Sequence, residues 1–268
     1  MLDSSLNGFH EKAGFMKRVV ILIPARYSAS RFPGKPLTMI SGRSMVMRVY
    51  DHAIKAHESL QKKHPVEAYI VTDDDRIEQH VLDHGGQVLR VDDDVPSGTE
   101  RIYLAFKRNF KENEVELVIN LQGDEPLLGD VDLSRLIDYH LSGHHDVGTI
   151  VRRRAMDEEF ENPNVVKVVL AKDGGKCLYF SRSPIPYDRD QEKPKEWYQH
   201  AGIYSYTPEA LEAFCAAGTS YYENIEKLEQ LRGMELGLDY GAIVTEAPFH
   251  AIDIPTDVAI VEKLLAHH

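Results

Sequence analysis

Pro24-Ala-Arg-Tyr-Ser-Ala-Ser-Arg-Phe-Pro-Gly-Lys-Pro36 follows directly on the apolar run Val19-Val-Ile-Leu-Ile23. The apolar run predicts a buried β-strand, and residues 24–36 then predict a loop that leads towards a helix. In open α/β sheets, ligands bind at the carboxyl ends of the strands. Because the loop carries the cations Arg26, Arg31 and Lys35, it predicts a receptor for a polyphosphate. From spacing alone, a solvated surface loop that happens to contain basic residues remains the alternative.

This loop differs from the common glycine-rich phosphate-binding motifs. Its one glycine is Gly34, so neither Gly-x-Gly-x-x-Gly nor Gly-x-x-x-x-Gly-Lys-Ser/Thr is present. Prolines at positions 24, 33 and 36 stiffen the segment. We therefore expect a rigid backbone to place the cations, whose side chains then neutralise the phosphate charge.

Composition narrows the class of protein. A chain of 268 residues with 43% hydrophobic and 28% charged residues is typical of a soluble globular protein. The net charge of −12 argues against a general nucleic-acid binder but leaves room for a nucleotide at a local cationic loop. Cys177 and Cys215 lie far apart in the chain, which favours a reduced, cytoplasmic protein. No apolar run reaches the roughly 20 residues of a membrane span.

Strands and helices alternate in the first half of the chain. Residues 1–15 lack the basic start and apolar stretch of a secretory signal and are interpreted as a flexible extension. Beyond them, apolar patterns predict strands at 19–23, 68–72, 88–91 and 117–121, and helices at 44–60, 76–84 and 97 to about 110. This rhythm predicts an α/β fold with a central, mostly parallel sheet and helices on both faces.

The pattern changes after about Asp146. Short apolar runs there predict strands at 147–154, 165–171, 177–181 and 202–206, which form a smaller mixed-sheet lobe over about 147–206. The remaining patterns predict helices at 208–217, 224–238 and 255–265 and a strand at 242–245. We expect residues 16–268 to form a single domain.

Carboxylates follow two of the apolar runs. Asp124 lies in Gln122-Gly-Asp-Glu-Pro126, directly after a predicted strand, where it suits a divalent cation that bridges phosphates. Asp253 ends a short apolar run just before the last helix and is a second candidate. A turn in which Asp124 bonds its own backbone remains an equal alternative.

Two acidic triplets, Asp73–Asp75 and Asp92–Asp94, admit two interpretations. Either triplet contains the Asp-x-Asp pattern of a metal-dependent glycosyltransferase. A helix cap and a polar turn explain the same residues as structure. Asp73 differs from the others because it ends a central strand at the same edge as the cations.

The second half of the chain contains polar side chains suited to an anionic sugar. They are Arg182, Arg189, His200, Tyr204, Glu229 and Gln230. Ile225, Leu228 and Leu231 have core spacing in the predicted helix 224–238, so Glu229 and Gln230 equally fit its solvent-facing side.

Taken in order, these motifs resemble the CMP-3-deoxy-manno-octulosonate (CMP-KDO) synthetases, or KDO cytidylyltransferases. The resemblance extends over residues 16–268. The matching stretches are Ile23-Pro-Ala-Arg-Tyr27, Arg31-Phe-Pro-Gly-Lys-Pro-Leu37, Val71-Thr-Asp73, Ser97-Gly-Thr-Glu-Arg101, Val118-Ile-Asn-Leu-Gln-Gly-Asp-Glu-Pro126, Asn164-Val-Val-Lys-Val-Val169, Leu178-Tyr-Phe-Ser-Arg182, His200-Ala-Gly-Ile-Tyr204, Leu228-Glu-Gln-Leu-Arg232 and Asp253-Ile-Pro-Thr-Asp257.

The resemblance implies a Rossmann-like nucleotidyltransferase fold, a homodimer, and the joining of CTP and KDO into CMP-KDO and pyrophosphate for lipopolysaccharide assembly. It implies a catalytic set of Arg26 and Lys35, which hold the triphosphate, and Asp124 and Asp253, which bind Mg²⁺. Around the nucleotide it implies Ala25, Arg26, Lys35, Thr72, Asp73, Ser97, Gly98 and Gln122. Around the sugar and its carboxylate it implies Arg31, Arg182, Arg189, His200, Tyr204, Glu229 and Gln230.

The departures from the family pattern fall mainly at the sugar end. The segment between Arg189 and His200 is short, Gln199 stands where a basic residue often precedes the histidine, and Ala201 replaces a leucine. The last motif reads Asp-Ile-Pro-Thr-Asp rather than Asp-Thr-Pro-Glu-Asp. Another 3-deoxy acid sugar, such as 8-amino-KDO, stays open as the acceptor. A metal-dependent glycosyltransferase and a non-catalytic nucleotide sensor are alternatives from other classes.

Overall fold

The predicted alternation of strands and helices is present in the computed structural model, which describes residues 17–28, 32–61, 63–143, 145–172, 174–190, 192, 195–248 and 250–266. The strands are β1 (Arg18–Pro24), β2 (Met39–Ile40), β3 (Arg43–Ser44), β4 (Val66–Thr72), β5 (Val88–Arg90), β6 (Val115–Asn120), β7 (Val147–Ala155), β8 (Lys167–Leu170), β9 (Cys177–Ser181), β10 (Glu196–Tyr206) and β11 (Tyr240–Thr245). The helices are α1 (Met45–Leu60), α2 (Asp75–Asp83), α3 (Gly98–Asn109), α4 (Asp130–Ser142), α5 (Pro208–Ala216), α6 (Tyr221–Glu226), α7 (Gln230–Glu235) and α8 (Pro255–Leu265). The predicted extension 1–15 and Arg31 lie outside the described residues.

Strand β1 lies inside the central sheet. It pairs in parallel with β4 on one side and β6 on the other, and β4 pairs in parallel with β5. The sheet continues through β10, β7 and β11, giving the order β11-β7-β10-β6-β1-β4-β5. Only β10 in that path is antiparallel to its neighbours. The prediction of a mostly parallel sheet is confirmed.

Alternation along β1 supplies apolar side chains to both faces of the sheet. Val19, Ile21 and Ile23 belong to the core under α1 and α4, and Val20 and Leu22 to the core under α3 and α5. Residues 19–23 are fully buried. A strand that is apolar on both faces is therefore covered by helices on both, as expected for a parallel sheet.

The strands predicted for the lobe 147–206 continue the central sheet. Strands β7 and β10 are members of that sheet, and β8 and β9 extend it as an antiparallel pair beside β10. Strand β10 begins at Glu196, earlier than the predicted start at 202, because pairing with β7 extends over residues 196–201. The partner strand is distant in sequence, so the residues before Gly202 show no local pattern that predicts the earlier start.

Two helix predictions need correction. The prediction of one continuous helix over 224–238 is wrong. Helix α6 ends before Lys227, which has a positive φ of 52°, and α7 begins only at Gln230. Ile225, expected in the core, is 60% exposed. Helix α4 was not predicted, although its buried Leu133, Leu136, Ile137 and His140 have helical spacing.

A third apolar cluster ties the end of the chain to its beginning. Ile40 and Met45 pack with Ile252 and Val261 near the β2–β3 ribbon. The backbone N–H of Ile252 donates to the carbonyl of Asp124 at 3.0 Å. The segment that precedes α8 is thereby fixed beside the end of β6. Among the described residues, no helix is long and apolar enough to cross a membrane.

Asp74 provides a test of the local structure. Its side chain caps α2 by accepting from the N–H groups of Arg76 and Ile77, at 3.0 and 3.4 Å. We expect Asp74→Ala to lower the free energy of unfolding by about 1 kcal/mol, measured by urea denaturation at pH 7. Asp75→Ala is the matched control, since the Asp75 side chain is 94% exposed and its pairing with Arg90 contributes little.

The effect of Asp74 also has a pH dependence. The Arg76 side chain, which hydrogen-bonds the Asp74 carboxylate, lowers its pKa below the usual value, against the effect of burial. A depressed folded-state pKa stabilises the fold above the unfolded pKa, and this stabilisation is lost as the pH falls through the folded value. The difference between wild type and Asp74→Ala should therefore shrink in acid. Equal stability of the Asp74 and Asp75 variants at pH 7 would contradict the capping role.

Candidate functional site

A cleft of about 440 Å³ opens where β1 and β6 end. The loop after β1, the first turn of α3, the loop after β6 and the segment before α8 line it, as does the turn that precedes α7. Residues predicted from the sequence that line this cleft are Ala25, Arg26, Lys35, Ser97, Gly98, Gln122, Asp124, Glu229 and Asp253. The carboxyl ends of the parallel strands thus gather most of the predicted nucleotide and metal residues at one place.

Arg26 bridges the loop after β1 and the start of α3. One guanidinium nitrogen, Nη2, donates to the carbonyl oxygens of Val95 and Ser97, at 2.8 and 2.5 Å. Burial and then the nearby Arg101 lower the pKa of Arg26 below its ordinary value, and carboxylates such as Asp73 and Glu100 oppose this. Arg26 thus brings a fixed positive charge to this end of the cleft, which suits an anion.

Lys35, at the other end of the loop from Arg26, is surrounded by oxygen atoms. Its Nζ donates to Asp124 Oδ2 and to the carbonyl of Ile252, both at 2.8 Å. Asp253 Oδ1 is 3.8 Å from the same nitrogen. The sequence-distant Asp124 and Asp253 are therefore brought within reach of one cation. Asp124 does not act only as a turn residue.

Glu125 adds a further acidic group next to this pair. It is buried, and one of its carboxylate oxygens has no hydrogen-bond partner among the described residues. Burial above all, and then the charges of Asp124 and Asp253, raise the pKa of Glu125 to about 8, against the opposing charge of Lys35. Carboxyl oxygens of Asp124, Asp253 and Glu125 therefore gather at this end of the cleft.

Tyr27 anchors the cationic loop. The guanidinium carbon of Arg76 lies 3.2 Å from the centre of the Tyr27 ring. The N–H of Gly34 donates to the carbonyl of Tyr27 at 2.9 Å, which closes the loop between them. Gly34 has a φ of +73°, and an added Cβ would lie 3.2 Å from the ring. The loop therefore needs glycine here both for its backbone conformation and for its contact with Tyr27.

Hydrogen bonds link the wall at α3 to the turn before α7. Asn120 Nδ2 donates to Thr99 Oγ1 at 3.1 Å, and the Thr99 hydroxyl donates to Glu229 Oε2 at 2.6 Å. Gln122 Nε2 donates to Asn120 Oδ1 at 3.3 Å. Burial raises the pKa of Glu229 above its ordinary value, and its hydrogen bond from Thr99 partly opposes the shift. Glu229 is thus fixed at the cleft and not on a solvent-facing helix surface.

Asp73 and Thr72 lie beside the cleft. Asp73 lines an adjoining polar pocket of about 450 Å³ that shares Arg26 and Ser28 with the cleft. Its Oδ2 accepts from Arg101 Nη2 at 2.7 Å. The buried Thr72 hydroxyl accepts from the N–H of Asp74 at 3.2 Å and does not line the described cleft.

The acidic triplets act mainly as structure. Asp74 caps α2, and the neighbouring Asp75 is exposed. In the second triplet, Asp92 and Asp93 pair with Arg90 and Arg108, both at 2.6 Å. The side chains of neither triplet converge as a metal site among the described residues.

Sequence reasoning did not assign a role to Arg101. This arginine is 2% exposed on α3, pairs with Asp73 and also donates to the carbonyl of Val91. The available signal was a charged residue at core spacing, next to Ile102 and one turn before Ala105. A buried arginine without partners would be very costly, so such a position predicts a carboxylate nearby.

Most of the residues predicted for the sugar lie outside the lining of the cleft in this structure. Besides Glu229, none of the described members lines the cleft. Arg182 donates to the carbonyls of Glu226, Pro163 and Lys227, at 2.6, 2.9 and 3.2 Å. Arg189 is exposed after β9, and Gln230 is 4% exposed at the start of α7. Arg31 lies outside the described residues.

His200 and Tyr204 are buried in β10. His200 Nε2 lies 3.1 Å from Thr149 Oγ1, and its ring packs edge-on against Phe180 at 4.9 Å. Burial lowers the pKa of His200 to about 3, so its imidazole is neutral at pH 7. Burial likewise raises the pKa of Tyr204 well above its usual value. In this arrangement, neither ring carries a charge at neutral pH.

Comparison with known proteins gives a consistent result. The chain matches the family model described as cytidylyltransferase over residues 20–242. A 3-deoxy-manno-octulosonate cytidylyltransferase of Thermodesulfovibrio yellowstonii is 39% identical over 255 residues, which cover 92% of this chain and 97% of that protein. An 8-amino-3,8-dideoxy-manno-octulosonate cytidylyltransferase of Shewanella baltica is 38% identical over 251 residues, covering 92% of this chain and 98% of that protein.

A solved structure is also similar over nearly the whole chain. It is a CMP:2-keto-3-deoxy-manno-octonic acid synthetase complexed with CTP, with a TM-score of 0.83 and 35% identity. The match covers 94% of this chain and 99% of that one. Sequence and fold therefore agree on one group of enzymes.

The contact between Gly34 and Tyr27 can be tested with a matched pair of glycines. We expect Gly34→Ala to weaken binding of inorganic tripolyphosphate at least about 10-fold in calorimetric titration, because the Cβ displaces the anchored loop. Gly42→Ala is the control: Gly42 also has a positive φ, of +80°, but an added Cβ there meets nothing within 4 Å. Both variants should lose about 1 kcal/mol of stability. Equal weakening of tripolyphosphate binding in both would refute the specific role of the contact.

Proposed function

Because this chain belongs to the CMP-KDO synthetase family of cytidylyltransferases, we propose that it transfers CMP from CTP to the anomeric hydroxyl of a 3-deoxy acid sugar and releases pyrophosphate. KDO is the proposed acceptor, and lipopolysaccharide assembly is the proposed use of the product. We further propose that the enzyme acts in the cytoplasm as a homodimer, as the family resemblance implies. The observation that carries the proposal is the meeting of Arg26, Lys35, Asp124 and Asp253 around one cleft.

The proposed triphosphate site uses the two cations differently. Arg26 already directs one nitrogen to the carbonyls of Val95 and Ser97, so its guanidinium is held in a fixed orientation at the first turn of α3. Lys35 is a point charge held by Asp124 and the carbonyl of Ile252. Such preorganised cations stabilise the negative charge that grows on phosphate oxygens during phosphoryl transfer.

We propose Mg²⁺ as the cofactor, with Asp124 and Asp253 as its protein ligands. The fit rests on the donor set: two carboxylates lie near one ammonium group, and the buried Glu125 has an unpartnered oxygen beside them. Magnesium commonly takes one or two protein carboxylates and completes its shell with phosphate oxygens and water. When bound, it would offset phosphate charge and lower the pKa of a nearby hydroxyl.

The residues of the chain supply positioning for the transfer. The loop after β1 holds the triphosphate, and the α3 wall with Ser97, Gly98 and Gln122 places the nucleoside. Glu229, which Thr99 holds against this wall, offers a fixed hydrogen-bond acceptor where the sugar hydroxyls would bind. The anomeric hydroxyl then gives its proton to water and its oxygen attacks the α-phosphorus in line, while the bond from the α-phosphorus to the bridging oxygen breaks and pyrophosphate leaves towards the cationic loop. Holding two anions in this geometry is the main task of the site.

The choice of acceptor sugar is open between two closely related compounds. Relatives named for KDO and for 8-amino-3,8-dideoxy-KDO are 39% and 38% identical to this chain. The two acceptors differ at one substituent far from the anomeric centre, so the transfer chemistry is the same. We propose KDO as the preferred acceptor because the similar solved structure with CTP and the relative at 39% identity are both named for this sugar.

An assay of pyrophosphate release tests the proposed function. Purified protein with CTP and Mg²⁺ should release pyrophosphate with KDO, and at least about 10-fold more slowly in kcat/KM with 8-amino-KDO. Chelation with EDTA should abolish release, and added Mg²⁺ should restore it. The reverse order of the two sugars would reassign the acceptor. Silence with every acid sugar would refute the proposed function and favour a nucleotide sensor.

Lys35 is the sharpest single-residue test. We expect Lys35→Met to lower kcat at least about 100-fold, because a charge that stabilises the transition state is removed. Thermal unfolding should change little, since the removed ion pair leaves Asp124 with 30% of its side chain exposed to water. Lys55→Met, on the exposed side of α1, is the matched control and should retain wild-type rates. Unchanged turnover of Lys35→Met at saturating CTP would rule out the role of this lysine.

The glycosyltransferase alternative lacks support from the site. Its metal motif would be Asp73–Asp75, but Asp73 pairs with Arg101 and Asp74 caps α2. It also leaves Lys35 and its two carboxylates without a role.

A further inference from the structure

Arg232 is a buried cation outside the cleft. Its side chain, on α7, is 3% exposed. Nε and Nη2 donate to the two carboxylate oxygens of Glu223, at 2.8 and 2.6 Å, and Nη1 donates to Glu100 Oε1 at 2.8 Å. The guanidinium also lies 4.4 Å from the centre of the Phe214 ring. We call Arg232, Glu100 and Glu223 the Arg232 cluster.

Each carboxylate of the Arg232 cluster is held at a second point. Glu100 Oε2 accepts from the hydroxyl of Ser97, the residue that caps α3 and lines the cleft. Glu223 Oε2 accepts from the N–H of Ser220 at 3.0 Å, which closes the capping box of α6. The cluster therefore connects the first turn of α3 to the segment α6–α7.

The same two elements meet again at the cleft itself. Thr99, next to Glu100, donates to Glu229, which precedes Arg232 by three positions. One link thus lies at the cleft wall and the other lies behind it. The turn at Lys227 separates α6 from α7, so Glu229 is placed as the first residue of the α7 turn, where its carbonyl accepts from the N–H of Arg232 at 3.0 Å. The bond from Thr99 then fixes its side chain.

Charge gives Arg232 a second effect on the site. Glu100, Glu223 and Glu229 bring three carboxylates to this region, and Arg232 is the cation that pairs with two of them. Breaking a buried ion pair by removing one partner leaves an uncompensated charge and is strongly destabilising. Loss of Arg232 would therefore push the carboxylates, and the elements that carry them, apart.

We propose that Arg232 is a positioning residue for the transfer reaction, which holds the nucleotide wall at α3 against Glu229 on the acceptor side. This inference rests on the proposed function. It predicts that loss of Arg232 disturbs acceptor binding first, because Arg26 and Lys35 still hold the triphosphate from the other side of the cleft.

A pH profile separates positioning from general stability. Burial raises the pKa of Glu229, Glu100 adds to the shift, and Arg232 opposes it. Cys215, Tyr204, Tyr206 and Tyr240 also interact with Glu229, and burial raises their pKa values, so they are neutral near pH 7. Without Arg232, Glu229 binds its proton at a higher pH. The acidic limb of kcat/KM for the sugar should then move to higher pH.

The experiment compares three variants with the wild type in the pyrophosphate assay. Arg232→Met should raise the KM for KDO at least about 10-fold, with the KM for CTP changing less than about 3-fold, and should move the acidic limb upwards. Arg232→Lys keeps the charge but cannot make the same three hydrogen bonds to Glu223 and Glu100. The KM for KDO should therefore rise, while the acidic limb of the pH profile stays where it is in the wild type. Ile137→Ala is the stability control, since Ile137 is fully buried on the opposite face of the sheet. It should lower the melting temperature without changing either KM or the pH limb.

The outcomes distinguish the two proposals. If Arg232→Met matches Ile137→Ala, or raises both KM values equally, Arg232 is only structural and the inference is overturned. If Arg232→Met does not fold, Arg232→Lys provides the test. A rise in the KM for KDO without a comparable rise for CTP supports the inference, and the absence of that rise overturns it. An inactive wild type would instead refute the proposed function, and this inference would fall with it.

Discussion

The ammonium group of Lys35 is the contact on which the arrangement of the cleft depends. It joins the loop after β1 to Asp124 after β6 and to the Ile252–Asp253 segment before α8. These segments are far apart in the chain, and each is placed by a different part of the fold: two by the parallel strands and one by the packing of Ile252 against Ile40 and Met45. The cation thus lies close to the carboxylates of both Asp124 and Asp253, at 2.8 and 3.8 Å.

This arrangement explains how an acidic protein can bind a polyanion. The chain carries a net charge of −12, yet Arg26 and Lys35 both line the cleft at the carboxyl end of β1. On the proposed function, a divalent cation would offset both the charge of the carboxylates near Lys35 and the charge of the triphosphate. Nucleotide and metal would then stabilise each other in the cleft.

The acceptor side is built differently. His200 and Tyr204 are buried in β10, and Arg182 is bonded to three backbone carbonyls. Two of those carbonyls belong to Glu226 and Lys227, in the turn just before Glu229. In this structure Arg182 holds the turn that leads to Glu229, and Glu229 itself reaches the cleft. Sugar preference would then depend on how the wall is supported as well as on which groups touch the substrate.

Local sequence determined the parts of this protein that depend on neighbours in the chain. The apolar run 19–23 predicts a strand buried on both faces, Asp74 and Ser97 cap helices at the expected places, and the motifs predict which loops carry charge. Only the tertiary structure decided that a turn at Lys227 divides α6 from α7, that Arg101 pairs with Asp73, and that Arg232 joins two helices. The physical reason is that periodicity and capping act over one or two turns of chain. A buried charge, in contrast, is satisfied by whichever partner the fold brings near, and that partner leaves no mark on the sequence around it.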